Sequence, residues 1–150
     1  MIEFEFLCKL SVEVGEIVTL GPGPLGERRV IAIHGGSFEG PAMRGVVLPG
    51  GNDWQIVRAD GVIDLDARYA LKEERGGIVR VVSQGYRHGP PQVLARLASG
   101  EPVAQSEYFF RSMLRFETGS TDLDWLNRTL AVATAERKAR QVLLTVYRLL

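Results

Sequence analysis

Gly61-Val-Ile-Asp-Leu-Asp-Ala-Arg-Tyr-Ala-Leu71 alternates without a break, with Ile63, Leu65, Ala67, Tyr69 and Leu71 on one side and Asp64, Asp66 and Arg68 on the other. Successive side chains of a strand point to opposite faces of the sheet, so this stretch is a strand with one apolar and one charged face. The turn-like run Glu73-Glu74-Arg75-Gly76 leads into a second strand from Gly77 to Arg87. A hairpin loop of two or of four residues sets Asp64, Asp66 and Arg68 beside Val81, Ser83, Gly85 and Arg87. Carboxylates, guanidinium groups and a hydroxyl then share one surface. That surface is either wet exterior, where ion pairs contribute little, or the lining of a pocket. Ser83 and Gly85 are small and leave room, which favours the pocket.

The rest of the chain repeats the pattern. Ile2, Phe4 and Phe6 alternate with Glu3 and Glu5, and Leu10, Val12 and Val14 continue a strand that bends near Leu7-Cys8. Gly21-Pro-Gly-Pro-Leu-Gly26 is a loop, because Gly and Pro together interrupt ladders and helices. From Arg28 to Gly35, Val30, Ala32 and His34 share one face and Arg29, Ile31 and Ile33 the other. Met43–Leu48 and Gln55–Arg58 are short strands around the loop Pro49-Gly-Gly-Asn-Asp-Trp54. Beyond His88-Gly-Pro-Pro91, Val93, Leu94 and Leu97 fall at helical spacing, predicting a helix over 91–98 that stops at Ser99-Gly100. Residues 107–117 alternate as a strand, and Thr121-Asp-Leu-Asp-Trp-Leu-Asn127 predicts a short helical turn capped by Ser120 or Thr121. Leu130–Ala135 and Gln141–Leu149 form a last hairpin. About eight strands at hairpin spacing with one or two short helices predict an all-β antiparallel barrel. Closure removes the edges that long strands would expose, and eight staves leave an interior able to hold one small ligand.

Composition narrows the function classes. One domain over 1–150 is expected at this length. Lys+Arg and Asp+Glu each total 18, so the basic excess expected of a nucleic-acid binder is lacking. No leader-like segment and no apolar run of about 20 residues is evident, which predicts a cytoplasmic protein with no membrane partner. The lone Cys8 rules out an internal disulfide and is expected to be buried as a small hydrophobe. His34 and His88 are too few for a three-histidine site and lack ligand spacing, so neither metal nor other cofactor is expected. No nucleophile elbow, phosphate loop or dinucleotide fingerprint is present.

His34-Gly-Gly-Ser-Phe-Glu-Gly-Pro41, Pro49-Gly-Gly-Asn-Asp-Trp-Gln55, Asp60-Gly-Val-Ile-Asp-Leu-Asp-Ala-Arg-Tyr69 and Asp124-Trp-Leu-Asn127, followed by Val146-Tyr-Arg148, resemble a bacterial and fungal family. That family is known as domain of unknown function 3237, or uncharacterised protein family 0311 (DUF3237, UPF0311). The resemblance runs along almost the whole chain. It implies a barrel of the lipocalin-like or allene-oxide-cyclase-like kind and says little about chemistry, since one fold hosts many functions.

The candidate residues therefore carry the function. Arg68 is the expected anion clamp, with Asp64 or Asp66 orienting it or acting as general base. The resemblance singles out Tyr69 along with this charged face. Glu39 and Asp53 lie in Gly-rich loops, where a carboxylate either bonds its own turn or meets a ligand. Trp54 beside Asp53 is either core or the apolar wall of a ligand site, and an indole would raise the pKa of the carboxylate toward neutrality. His34 is most simply a hydrogen-bonded core histidine, and joins Ser83 and Arg87 as a binding residue if the pocket exists. The expected catalytic set is Asp53, Asp66, Arg68 and Glu39; the expected binding set is Trp54, Asp64, Tyr69, Ser83, Arg87 and His34. Together they predict a small-molecule-binding barrel that works as a cofactor-independent acid/base isomerase, cyclase or lyase on an aromatic or enol-bearing metabolite. A non-catalytic carrier and a structural oligomer with a filled barrel are the alternatives. The partner expected is a small molecule, and a homo-oligomer stays open.

Overall fold

The computed structural model describes residues 1–150. Its strands are β1 (Phe4–Gly23), β2 (Gly26–Glu39), β3 (Arg44–Val47), β4 (Asn52–Val57), β5 (Ile63–Glu73), β6 (Ile78–His88), β7 (Phe109–Thr118), β8 (Leu130–Arg137) and β9 (Gln141–Leu149). The one α-helix, α1, runs over Pro91–Ala98, as its apolar spacing predicts. All pairings are antiparallel, and the sheet closes because β1 pairs with both β9 and β2. Between β2 and β5 one stave is shared by two short strands. β4 pairs with both over Glu27–Ala32 and Ile63–Arg68, and β3 bridges them farther along at Ser37–Glu39 and Leu71–Glu73. Nine strands therefore make a ring of eight, the barrel that the alternating pattern predicts.

Alternation builds the core. On β7, Phe110, Ser112, Leu114 and Phe116 are buried while Phe109, Arg111, Met113 and Arg115 are exposed. Cys8 is buried at the bend of β1, where Leu7 and Cys8 both turn inward beside a register shift against β9, and burial pushes its thiol up to about 12. Val93 and Leu97 of α1 are buried, and Leu94 and Leu97 face the barrel end formed by Ile17, Val57 and Ile63. Near the β5–β6 loop, Leu123 and Leu126 are fully buried. The helical turn there is a 3-10 turn over Asp124–Arg128, shorter than predicted, and neither Ser120 nor Thr121 caps it with a side chain. Instead Asn127 ties the turn to β7, its Oδ1 accepting from the Thr118 N–H at 2.8 Å and its Nδ2 donating to the Thr118 carbonyl at 2.9 Å. No helix is long and apolar enough to cross a membrane.

Three expectations about the site residues change. The first is hairpin parity. Glu73 N–H donates to the Gly77 carbonyl at 2.8 Å and Gly76 N–H to the Glu73 carbonyl at 2.7 Å, leaving a loop of Glu74, Arg75 and Gly76. Gly76, at φ 104°, supplies the left-handed residue that such three-residue loops use. An odd loop reverses the match made by a two- or four-residue one. Ala67 lies opposite Ser83, Ile63 opposite Arg87 and Arg68 opposite Val82. Ser83 and Arg87 thus enter the barrel with the apolar face, and Asp64, Asp66 and Arg68 stay outside. The second is that Glu39 and Asp53 are not loop residues, since Glu39 ends β2 and Asp53 lies within β4. The third is His34, which is exposed and not a core histidine.

The bulge at His34-Gly35, where the pairing with β1 skips from Ile33 to Gly35, moves the inward face of β2 from Ile31 and Ile33 to Phe38. Gly36 has φ 135°, and a Cβ there would fall 2.0 Å from the Ser11 carbonyl oxygen. Gly36→Ala should cost about 1–3 kcal/mol in backbone strain alone, before any displacement of β1. Gly119→Ala meets nothing within 4 Å and should be neutral within about 0.5 kcal/mol. Urea titration checks both: the Gly36→Ala midpoint should fall with the slope unchanged.

Candidate functional site

Inside the barrel the walls are mostly aliphatic. Val12, Val14, Ile31, Ile33 and Leu65 surround a small polar group built from Asp53, Gln55, Tyr69, Ser83 and Arg87. They enclose a cavity of about 50 Å³, room for a few water-sized groups. A second cavity of about 220 Å³ lies beneath α1, bounded by Glu27, Arg29, Leu94 and Leu97. Arg87 and Arg137 line both, so the two cavities adjoin at these side chains, the second lying at the mouth of the barrel under α1.

The carboxylate in the lumen is held from two sides. Arg29 donates to Gln55 Oε1 from Nε at 3.2 Å and from Nη2 at 2.6 Å. That fixes the amide, so Gln55 Nε2 must donate onward, and it reaches Asp53 Oδ2 at 2.7 Å. The backbone N–H of Asp66 donates to Asp53 Oδ1 at 3.2 Å. Burial nevertheless raises the pKa of Asp53 above the usual carboxylate range, and the Gln55 bond and the charge of Arg87 offset it only in part.

Arg87 faces Asp53 across the apolar interior. It is 6% exposed, and its guanidinium sits 5.2 Å above the Phe110 ring. Its Nε is buried without a hydrogen-bond partner, as is the Tyr69 hydroxyl, itself 7% exposed. Buried polar groups in folded proteins are paired almost without exception, and leaving one unpaired costs roughly 1–3 kcal/mol. Both groups line the same lumen. Burial lowers the Arg87 pKa to about 10, with the charges of Arg137 and Arg29 adding to the effect. Burial also pushes the Tyr69 hydroxyl up, so it remains a neutral donor.

Of the sequence candidates, Asp53, Tyr69, Ser83 and Arg87 meet in this lumen. The others lie outside it. Arg68 pairs with Asp66 at 3.2 Å, with side chains 51% and 37% exposed. Asp64 and Trp54 are exposed on the same outer surface, and Glu39 lies 4.0 Å from Arg44 at a strand end. Three polar residues lining the two cavities were given no role by the sequence. Arg29 shares its strand face with Ile31 and Ile33, and Gln55 lies two residues from Asp53 on the same strand face. Arg137 ends the small-residue face Ala131-Ala133-Ala135. Period-two spacing marks all three, but only once the inward face is known.

The model of the family described as Protein of unknown function (DUF3237) matches residues 2–149. The chain belongs to the DUF3237 family. The UPF0311 protein RPA1785 of Rhodopseudomonas palustris is 37% identical over 149 residues, covering 99% of this chain and 97% of its own. Its crystal structure superposes with a TM-score of 0.97 over 100% of this chain and 99% of that one. A beta-barrel like protein from Acinetobacter baumannii AYE, 39% identical, gives 0.87 over 100% and 97%. An enzyme from Penicillium herquei, 20% identical, shares the fold at 0.75 over 99% and 95%.

Asp53 gives this DUF3237 protein a defined pH response. Its folded pKa lies above the unfolded one, so its contribution to stability is complete below the ordinary carboxylate range of about pH 4. That contribution is lost as pH rises through the folded value. Asp53→Asn should therefore gain on wild type as pH increases from about 4, measured as urea midpoints across a pH series. A constant difference between the two would show that Asp53 ionises in the fold as freely as in water.

Proposed function

We propose that the barrel takes a small enolisable or phenolic metabolite with its reacting end in the lumen, and moves a proton on it. Isomerase, cyclase or lyase chemistry of this kind needs a base, a stabiliser of the developing anion and exclusion of water. Asp53 supplies the base. Held by Gln55 and the Asp66 N–H, it keeps one geometry, and its raised proton affinity suits it to take a proton and give it back at a second atom. Arg87 supplies the anion stabiliser, the role the sequence suggested for Arg68. The observation that carries this proposal is its buried guanidinium with a partnerless Nε, in an apolar cavity that also holds a raised carboxylate. An oxygen that becomes negative in the reaction would bond Arg87 more strongly then than in the ground state, which favours the transition state. The Tyr69 hydroxyl is a neutral donor for the same oxygen or its neighbour. That the similarly folded Penicillium herquei protein is described as an enzyme supports catalysis over simple sequestration.

The test is deuterium incorporation from D₂O, followed by proton NMR, across a panel of neutral ketones and phenols. Wild type should accelerate exchange at one carbon of at least one compound. Asp53→Asn should lose about 10²–10⁴-fold of that acceleration while still binding, and Arg87→Lys should lose much of it by misplacing the donor. If compounds bind without exchange and Asp53→Asn binds equally well, the barrel is a carrier.

A further inference from the structure

The charges around the two cavities do not balance. Glu27 and Asp53 are the only carboxylates lining them, against the guanidinium groups of Arg29, Arg87 and Arg137. One positive charge is left over when both carboxylates are ionised. Arg29 is committed to Gln55, and Glu27 accepts a hydrogen bond from the Thr19 hydroxyl at 2.7 Å. Neither Arg87 nor Arg137 has a carboxylate within ion-pair distance. Arg137 is fixed by its backbone, whose N–H donates to the Tyr108 hydroxyl at 2.9 Å, leaving its side chain turned to the junction of lumen and mouth.

We infer that the mouth beneath α1 is a subsite for a carboxylate, held by Arg137 with Arg87, so that the substrates are small enolisable monocarboxylic acids. This rests on the proton-transfer reading of the lumen and names its substrate class. A guanidinium presents paired N–H donors in a fork that fits the two oxygens of a carboxylate. A single negative charge matches the single uncompensated positive one. Arg87 borders both cavities and can span an enol oxygen in the lumen and a carboxylate in the mouth, and this places the carbon that loses its proton on the Asp53 side. Leu94, Leu97 and Ile17 give the mouth an apolar wall for the body of the molecule. Mutual repulsion of the arginines supports the same picture, because Arg29 and Arg137 both depress the pKa of Arg87. A bound anion would relieve that repulsion.

The experiment compares 4-oxopentanoate with its methyl ester, and benzoate with methyl benzoate, by calorimetry at fixed ionic strength. Wild type should bind each acid about 10–100-fold tighter than its ester, as expected for charge-assisted hydrogen bonds. Arg137→Gln, shown folded by circular dichroism, should abolish that preference, and Arg137→Lys should restore part of it. Equal affinity for acid and ester overturns the subsite, as does a preference that Arg137→Gln leaves intact. Tighter binding of methyl phosphate than of acetate overturns the assignment to carboxylates. Benzoate has no proton to exchange, so its binding reports on the subsite alone. Benzoate binding without any deuterium exchange in the ketone series would sink proton transfer and leave the subsite standing. Exchange on neutral ketones with no acid preference would do the reverse.

Discussion

A strand alternates with period two, and in a closed ring one face of every strand is inside. Whether a side chain enters the lumen is then decided by the number of residues in each turn and by each bulge. The β5–β6 loop of three residues and the His34-Gly35 bulge are therefore the positions on which the interior depends. One residue more in the loop would exchange Ser83 and Arg87 for Gln84 and Tyr86 against the inward face of β5.

The interior that results is unusual in what it tolerates. Burying a charge costs several kcal/mol unless it is paired and hydrogen-bonded. Asp53 is given donors by Gln55 and by the Asp66 backbone, and Arg29 leans on Gln55 in turn. Arg87 has only the face of Phe110 and the distant field of Asp53. The aliphatic remainder of the barrel, from Leu10 and Val12 through Val81 and Val146, supplies the stability against which this cost is set. The two buried polar atoms left without partners, the Tyr69 hydroxyl and Arg87 Nε, both belong to residues lining this lumen.

The outer charged surface behaves differently although its residues look more like a site on paper. Asp66 and Arg68 pair with one another in water, where the high dielectric and the entropy of long side chains leave little net energy. Asp66 matters to the lumen through its main chain, whose N–H reaches through the sheet to Asp53. A backbone donor of that kind is invisible to any inspection of side-chain chemistry.

Much of the fold was legible in the residues. Alternation at Ile63–Leu71 and along 107–117, the helix at 91–98 and the closing hairpin at the C-terminus each follow from local period and breaker residues, and those are properties of neighbouring positions. The resemblance to the DUF3237 family was likewise carried by short ordered motifs. The site was legible only in part. Asp53, Tyr69, Ser83 and Arg87 could be picked out by type, yet Arg68, Asp66, Glu39, Trp54 and His34 could be picked out by the same criteria and lie outside. The period of a strand fixes which residues share a face, but not which face is inside. That was set by the left-handed Gly76 closing a three-residue loop and by ring closure through β1, both of which depend on contacts between residues far apart in the chain. The sequence by itself determined the staves; only their closure decided which charges were buried.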